Sequence, residues 1–285
     1  MLKLSVFSVS MPEYNVKDTV ELVKKIGFSG IEWRVSAPTP EEKAADYSFS
    51  RRYWSNNRST IDFDHPKEEM LRAKQLCDAA GVEICAMANY KPVSDYHGVV
   101  LGMEAAAAVG CHLMRVGIPR YEGNVHYSEL FQKTVQDIKQ LIAPSQEYGV
   151  KILMETHMDT IIPSASAAYR LACNFDPACV GVLYDPGNMV YEGYEQHKMG
   201  FEILGEYLAH VHVKNAKWIP AAADKPWYVD FSPMDQGVLN AVEFIQLLRN
   251  YGYNGYVSVE DFSNEDDTAT KLEKVYKLLG PLFDK

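Results

Sequence analysis

Gly149-Val150-Lys151-Ile152-Leu153-Met154-Glu155-Thr156-His157 is the stretch on which the reading of this chain turns. It opens on a glycine that ends a long helical pattern, runs apolar, and turns acidic at its far end. A short apolar run bounded in this way reads as a strand buried on both faces, as in a parallel sheet. The same order recurs in Gly181-Val182-Leu183-Tyr184-Asp185-Pro186-Gly187-Asn188, in Ala209-His210-Val211-His212-Val213-Lys214 and in Val257-Ser258-Val259-Glu260-Asp261. Working outward, strand patterns are also expected near Leu2–Val9, Gly30–Val35, Val82–Ala88 and His112–Gly117, which makes eight in all. Helix patterns alternate with them, most clearly Asn15–Ile26, Pro66–Ala80, Tyr127–Tyr148, Ala241–Tyr251 and Asp266–Leu279. Gly27, Gly81, Gly110, Gly149 and Gly252 each stand between a helix and the next strand, where glycine tolerates the left-handed turn that stops a helix. Asn15 reads as an N-cap.

Eight βα units predict a closed (β/α)8 TIM barrel of the α/β class. A doubly wound open sheet is the competitor, but no Gly-rich phosphate turn follows the first strand. The 285 residues fit one barrel, which typically takes about 250, and no linker divides the chain. One domain over 1–285 is therefore expected, with long βα loops at 36–65 and 215–237 over the catalytic face.

Composition narrows the function classes. A formal net charge of −10 repels phosphate backbones, which argues against nucleic acid. The five cysteines are odd in number and form no CxxC pair, as expected of reduced thiols in a cytoplasmic protein. The opening MLKLSVFSVSMPEYN lacks the apolar region of a signal peptide, and no run approaches the roughly 20 residues of a membrane span. The expected partner is a small sugar-like molecule, with a homo-oligomer possible.

Four chemistry-bearing residues stand at the ends of the last four strands: Glu155, Asp185, His212 and Glu260. Each alone is an ordinary strand-end residue or helix cap. In a closed barrel they converge at one mouth, where unpaired buried carboxylates are costly and a divalent cation removes the cost. Two Glu, one Asp and one His suit Mn²⁺ first, with Co²⁺, Mg²⁺ or Zn²⁺ as substitutes. Strand alternation puts His210 on the same face one layer deeper, as a hydrogen-bonded core residue. Expected substrate contacts are His157, Asn188, Lys214, Arg115, Trp33 and Glu32. Trp54, Trp218, Trp227 and Tyr228 are candidates for stacking on a sugar, Asn56 and Asn57 for bonding hydroxyls, and Arg51, Arg52 and Arg58 for an anion.

These segments, with Lys3-Leu4-Ser5-Val6-Phe7 and Gly30-Ile31-Glu32-Trp33, resemble the xylose isomerase-like superfamily of sugar isomerases and epimerases, which includes the AP-endonuclease-2-type barrels. The resemblance covers nearly the whole chain. It implies that Glu155, Asp185, His212 and Glu260 bind one divalent metal, and that Glu155 and Glu260 are also the catalytic acid/base pair on opposite faces of the substrate. Asn188 departs from the pattern, because the epimerases carry a histidine there. The endonuclease branch needs additional early histidines, and none precedes His65. The expected activity is isomerisation or epimerisation of a sugar or cyclitol through an ene-diolate. The alternative is a lyase acting by β-elimination on an inosose or a 3-keto-glycoside.

Overall fold

A computed structural model describes residues 1–37 and 48–283. Eight parallel strands close into a barrel: β1 (Leu2–Phe7), β2 (Gly30–Ser36), β3 (Glu83–Pro92), β4 (Leu113–Gly117), β5 (Lys151–Glu155), β6 (Val180–Tyr184), β7 (Leu208–Val213) and β8 (Gly255–Val259). Each pairs with the next in chain order, and β1 completes the ring by pairing with β8 from Leu2↔Gly255 and with β2 from Ser5↔Gly30. The closed barrel expected from the alternation is therefore present, and its strands fall within a few residues of the expected ranges.

The helices follow from the same local signals. They are α1 (Val16–Ile26), α2 (Pro66–Ala80), α3 (Tyr96–Ala108), α4 (Tyr127–Tyr148), α5 (Ala165–Ala172), α6 (Pro186–Glu192), α7 (His197–Leu204), α8 (Ala241–Tyr251) and α9 (Thr268–Leu279). The Asn15 side chain accepts from the Asp18 amide at 2.9 Å and caps α1. All five helix-stop glycines have positive φ, from 65° at Gly149 to 109° at Gly27. There a β-carbon would be strained, so the punctuation read in the sequence is a backbone requirement.

Alternation along β2 sorts its side chains. Ile31, Trp33 and Val35 pack into the main core under the helices, each with no exposure. Glu32 points the other way and bonds to β7, which is not a neighbour of β2, so that contact crosses the barrel interior. This corrects the expectation that Trp33 contacts substrate: adjacent strand residues face opposite sides, and Glu32 takes the inner one.

The loop after β7 is not featureless. It folds into an antiparallel hairpin, Ala216–Ile219 with Tyr228–Phe231. After β2 there is a helical turn at Arg51–Ser55 and a two-residue strand, Ile61–Asp62, on the end of β2. Within the expected 36–65 loop, 38–47 lie outside the described residues. Among the described residues, no helix is long and apolar enough to cross a membrane. All five cysteines are free thiols.

Candidate active site

The strand ends deliver the four expected residues to one place. Glu155 closes β5. Asp185 follows β6 and caps α6, its Oδ1 accepting the Asn188 amide at 3.0 Å. His212 lies in β7, and Glu260 follows β8, held by its own N–H on the Val213 carbonyl at 3.0 Å. Ligand atoms of all four lie within 4.8 Å of one another, and none of the four residues exceeds 4% exposure.

His212 defines what this cluster lacks. Its Nε2 lies 3.0 Å from Glu32 Oε2. A carboxylate only accepts, so Nε2 carries the proton, and in the neutral ring Nδ1 is a bare lone pair. Nδ1 faces Glu155 Oε1 at 3.4 Å, Asp185 Oδ2 at 3.6 Å and Glu260 Oε2 at 3.9 Å, and has no hydrogen-bond partner. Four acceptors thus converge, and His212 Nδ1 is the one left with no donor, since Lys214 serves Asp185 and Glu260 and Asn188 serves Glu155. Without a cation the relief is a proton. Burial lowers the His212 pKa, yet Glu32, Asp185 and Glu155 together hold it well above the ordinary value. A divalent cation on the same lone pair does the same work, and one nitrogen with three carboxylate oxygens is a suitable donor set. The residues fit the ion. Glu32 then fixes the tautomer of the ligand from behind, as carboxylates commonly do for metal-bound histidine.

Two cations offset part of the carboxylate charge. Arg115 Nε is 3.0 Å from Glu155 Oε2. Lys214 Nζ is 2.8 Å from Asp185 Oδ2 and also bonds Glu260. Burial raises both glutamate pKa values, but the outcomes differ. Arg115, with His212 and His157, holds Glu155 well below the usual carboxylate range. At Glu260 burial, aided by Asp185 and Glu155, outweighs Lys214 and His212, and its pKa is raised.

Above the cluster opens a cavity of about 500 Å³. Of the candidate residues, Glu155, Glu260, Arg115, His157, Asn188, Lys214 and Trp54 line it. Asn188 donates to Glu155 Oε1 at 3.2 Å, so this amide holds a carboxylate in place. His157 Nδ1 is 2.8 Å from the Met158 carbonyl, which leaves Nε2 as an acceptor.

Other expectations are corrected. Glu32 does not reach the cavity, because it is enclosed below it by His210 and His212 at 2.9 and 3.0 Å. Trp218, Trp227 and Tyr228 sit on the exposed hairpin and do not line the cavity. Asn57 is spent on the Val9 and Tyr53 carbonyls, and buried Asn56 is also away from the cavity. Arg51, Arg52 and Arg58 do not line it, and Arg52 pairs with Glu13 at 2.7 Å. The aromatic lining comes instead from Phe49, Tyr90, Tyr191, Phe231 and Phe262, beside Trp54. Tyr90 and Phe262 stand at strand ends and were open to the same reasoning that found Arg115. Arg34 was also missed; its guanidinium lies 5.1 Å from the Tyr90 ring and donates to the Trp54 carbonyl.

A barrel with an acid-rich, histidine-anchored mouth at the C-terminal strand ends has the layout of a TIM-barrel enzyme. The chain belongs to the xylose isomerase-like TIM barrel family, whose model matches residues 20–278. Among its relatives, the inosose dehydratase of Clostridium perfringens (strain 13 / Type A) is 26% identical over 295 aligned residues, covering 94% of this chain and 92% of that protein. The fold is shared with the apo form of the 3-keto-D-glucoside 4-epimerase YcjR from E. coli, at TM-score 0.71 and 16% identity over 99% of this chain and 100% of that one. It is shared too with the probable 3-DHS dehydratase AsbF from Bacillus anthracis, at TM-score 0.69 and 19% identity over 98% of both chains.

Proposed function

We propose that the chain is a divalent-metal-dependent isomerase or epimerase that removes the proton beside a ketone of a sugar or cyclitol. The observation that carries this reading is the bare His212 Nδ1 facing three carboxylate oxygens at 3.4, 3.6 and 3.9 Å. Glu155, Asp185, His212 and Glu260 would hold the ion, with Mn²⁺ preferred over Co²⁺, Mg²⁺ or Zn²⁺. Bound there, it supplies a Lewis acid that polarises the ketone and acidifies the adjacent C–H.

Glu155, kept anionic by Arg115, takes the proton and leaves an ene-diolate. Glu260 approaches from a strand three places away round the ring and is placed to return a proton. A proton returned to the opposite face of the same carbon epimerises it, and one returned to the neighbouring carbon isomerises the sugar. Asn188 steadies Glu155, while His157 and Lys214 offer an acceptor and a donor to substrate hydroxyls.

A second reading has its own support in the relative named inosose dehydratase, which aligns along 94% of this chain. The same two groups serve an elimination: Glu155 takes the α proton and Glu260 protonates the β-hydroxyl, which leaves as water. One experiment separates the two. Ketoses, inososes and 3-keto-glucosides are incubated with enzyme and Mn²⁺ in D₂O, the metal is chelated, and proton spectra are recorded. Deuterium uptake with the hydroxyls retained supports isomerase chemistry. Loss of a hydroxyl supports the dehydratase. No uptake and no loss with any of them overturns both.

A further inference from the structure

The cavity has two unlike halves. Glu155, His157, Asn188, Lys214 and Glu260 line one, and the other is aromatic. Phe231 is its centre. Its ring is 5.0 Å from that of Phe262, 6.2 Å from that of Tyr191, and stacked on Phe49 at 5.7 Å with 13° between the planes. Trp54 extends the belt, 5.6 Å from Phe262. These rings come from the loops after β2, β7 and β8 and from α6, so the closed barrel assembles the belt rather than any one loop. Lys214 Nζ stands 5.6 Å from the Phe231 ring and 5.4 Å from that of Phe262, at the seam between the halves.

A phenyl ring returns no hydrogen bond to a hydroxyl. A polyol pressed into this half would leave hydroxyls desolvated and unpaired, at a cost of about tenfold in affinity or more for each. A sugar does have one C–H face, which is matched by a single stacking ring such as Trp54. That face matches one ring and leaves the cavity surface of Phe49 and Phe231 over, while Phe262 beneath them is already packed against Tyr53 and Phe231. The volume of about 500 Å³ lies in the range of roughly 300–1,000 Å³ that encloses drug-sized ligands.

We propose that the aromatic half is a subsite for an aromatic substituent on the sugar, which makes the substrate a keto-glycoside with an aryl aglycone. The polyol occupies the polar half over the metal cluster, and the aryl group lies against the cavity faces of Phe231 and Trp54. This rests on the sugar chemistry proposed for the polar half, so the test reads binding separately from turnover.

Phenyl β-D-glucoside and methyl β-D-glucoside are titrated into the Mn²⁺-loaded protein by calorimetry. Phenyl β-D-glucoside is expected to bind at least about tenfold tighter. In Phe231→Ala the gap narrows to less than about threefold. Trp54→Ala is the second variant, in case the first does not fold, and a thermal melt checks both. Equal affinities, or no binding of the phenyl compound, overturn the subsite, as does a gap that survives in both folded variants. A phenyl preference without turnover of any ketone keeps the subsite and removes the proton-transfer reading. Turnover of keto-sugars without a phenyl preference does the reverse.

Discussion

His210 and His212 leave β7 on the same face and share one acceptor, Glu32 Oε2, at 2.9 and 3.0 Å, yet they belong to opposite kinds of site. On the barrel floor one carboxylate serves two imidazoles. His210 Nε2 also lies 3.1 Å from Ser258 Oγ, which is 2.8 Å from Ser5 Oγ. At the mouth three carboxylates face one imidazole. The residue types are nearly the same, and what differs is the balance of donors and acceptors. Two N–H groups meet one carboxylate oxygen on the floor, where only Glu32 Oε1 and His210 Nδ1 stay without partners. An excess of acceptors beneath a cavity, only partly offset by Arg115 and Lys214, suits a divalent cation that would sit where chemistry can use it.

The largest effect that tests this contrast is on turnover. Glu260→Gln removes the proposed acid and is expected to slow deuterium exchange by about 10²–10⁴-fold while the protein stays folded. Near-wild-type exchange in that variant would sink the two-glutamate scheme. Next comes metal affinity. Glu32→Gln weakens the hold on the His212 tautomer and should raise the Mn²⁺ dissociation constant about 10–100-fold. His210→Asn should raise it far less, since His210 does not face the carboxylates. Equal effects of the two substitutions in a Mn²⁺ titration would break the distinction between floor and mouth.

A smaller shift is expected from Arg115→Met. Arg115 is the strongest influence holding the Glu155 pKa down, so its removal raises that pKa. The active anion is then lost at a higher pH, and the acid limb of the kcat/KM profile moves upward by about one unit. An unmoved limb would show that Arg115 does not tune Glu155.

The smallest effect concerns a third, half-buried imidazole, which shows what partial burial does with no carboxylate at hand. His197 bonds the Tyr184 hydroxyl at 2.9 Å, and burial pushes its pKa down to about 4. The folded state therefore prefers the neutral ring. The resulting stability is fully present above the ordinary histidine pKa, about 6.5, and is lost as pH falls toward about 4. His197→Gln should flatten the fall in Tm over that window by a few degrees, read from melts at the two ends. A fall as steep as that of the parent protein would show that other groups carry it.

Much of the barrel was legible because its signals are local. A glycine stop, an apolar run and a terminal carboxylate each occupy a few residues, and closure follows from their repetition. Glu155, Asp185, His212 and Glu260 were legible for the same reason: each stands at the mouth end of its strand. Trp33 was misread although the period of two already separates it from Glu32; which of the pair faces inward is fixed by the bond from β2 to β7 across the barrel. The loop after β7 hid its contribution more fully. Its hairpin register sets Phe231 against Ala216 near the barrel end. Trp227 and Tyr228, which looked better suited to a sugar, are carried out toward the tip at 61% and 53% exposure. No periodicity within the loop distinguishes those positions.

Everything proposed for the mouth depends on Glu155, Asp185, His212 and Glu260 holding one divalent ion. Equilibrium titration of metal-free protein with Mn²⁺, run beside Asp185→Asn, tests it most directly. One ion per chain is expected in the parent protein, with proton release on binding, and an affinity at least about tenfold weaker in the variant. Fewer than about 0.1 ions per chain at saturation, or an unchanged affinity in Asp185→Asn, would contradict it.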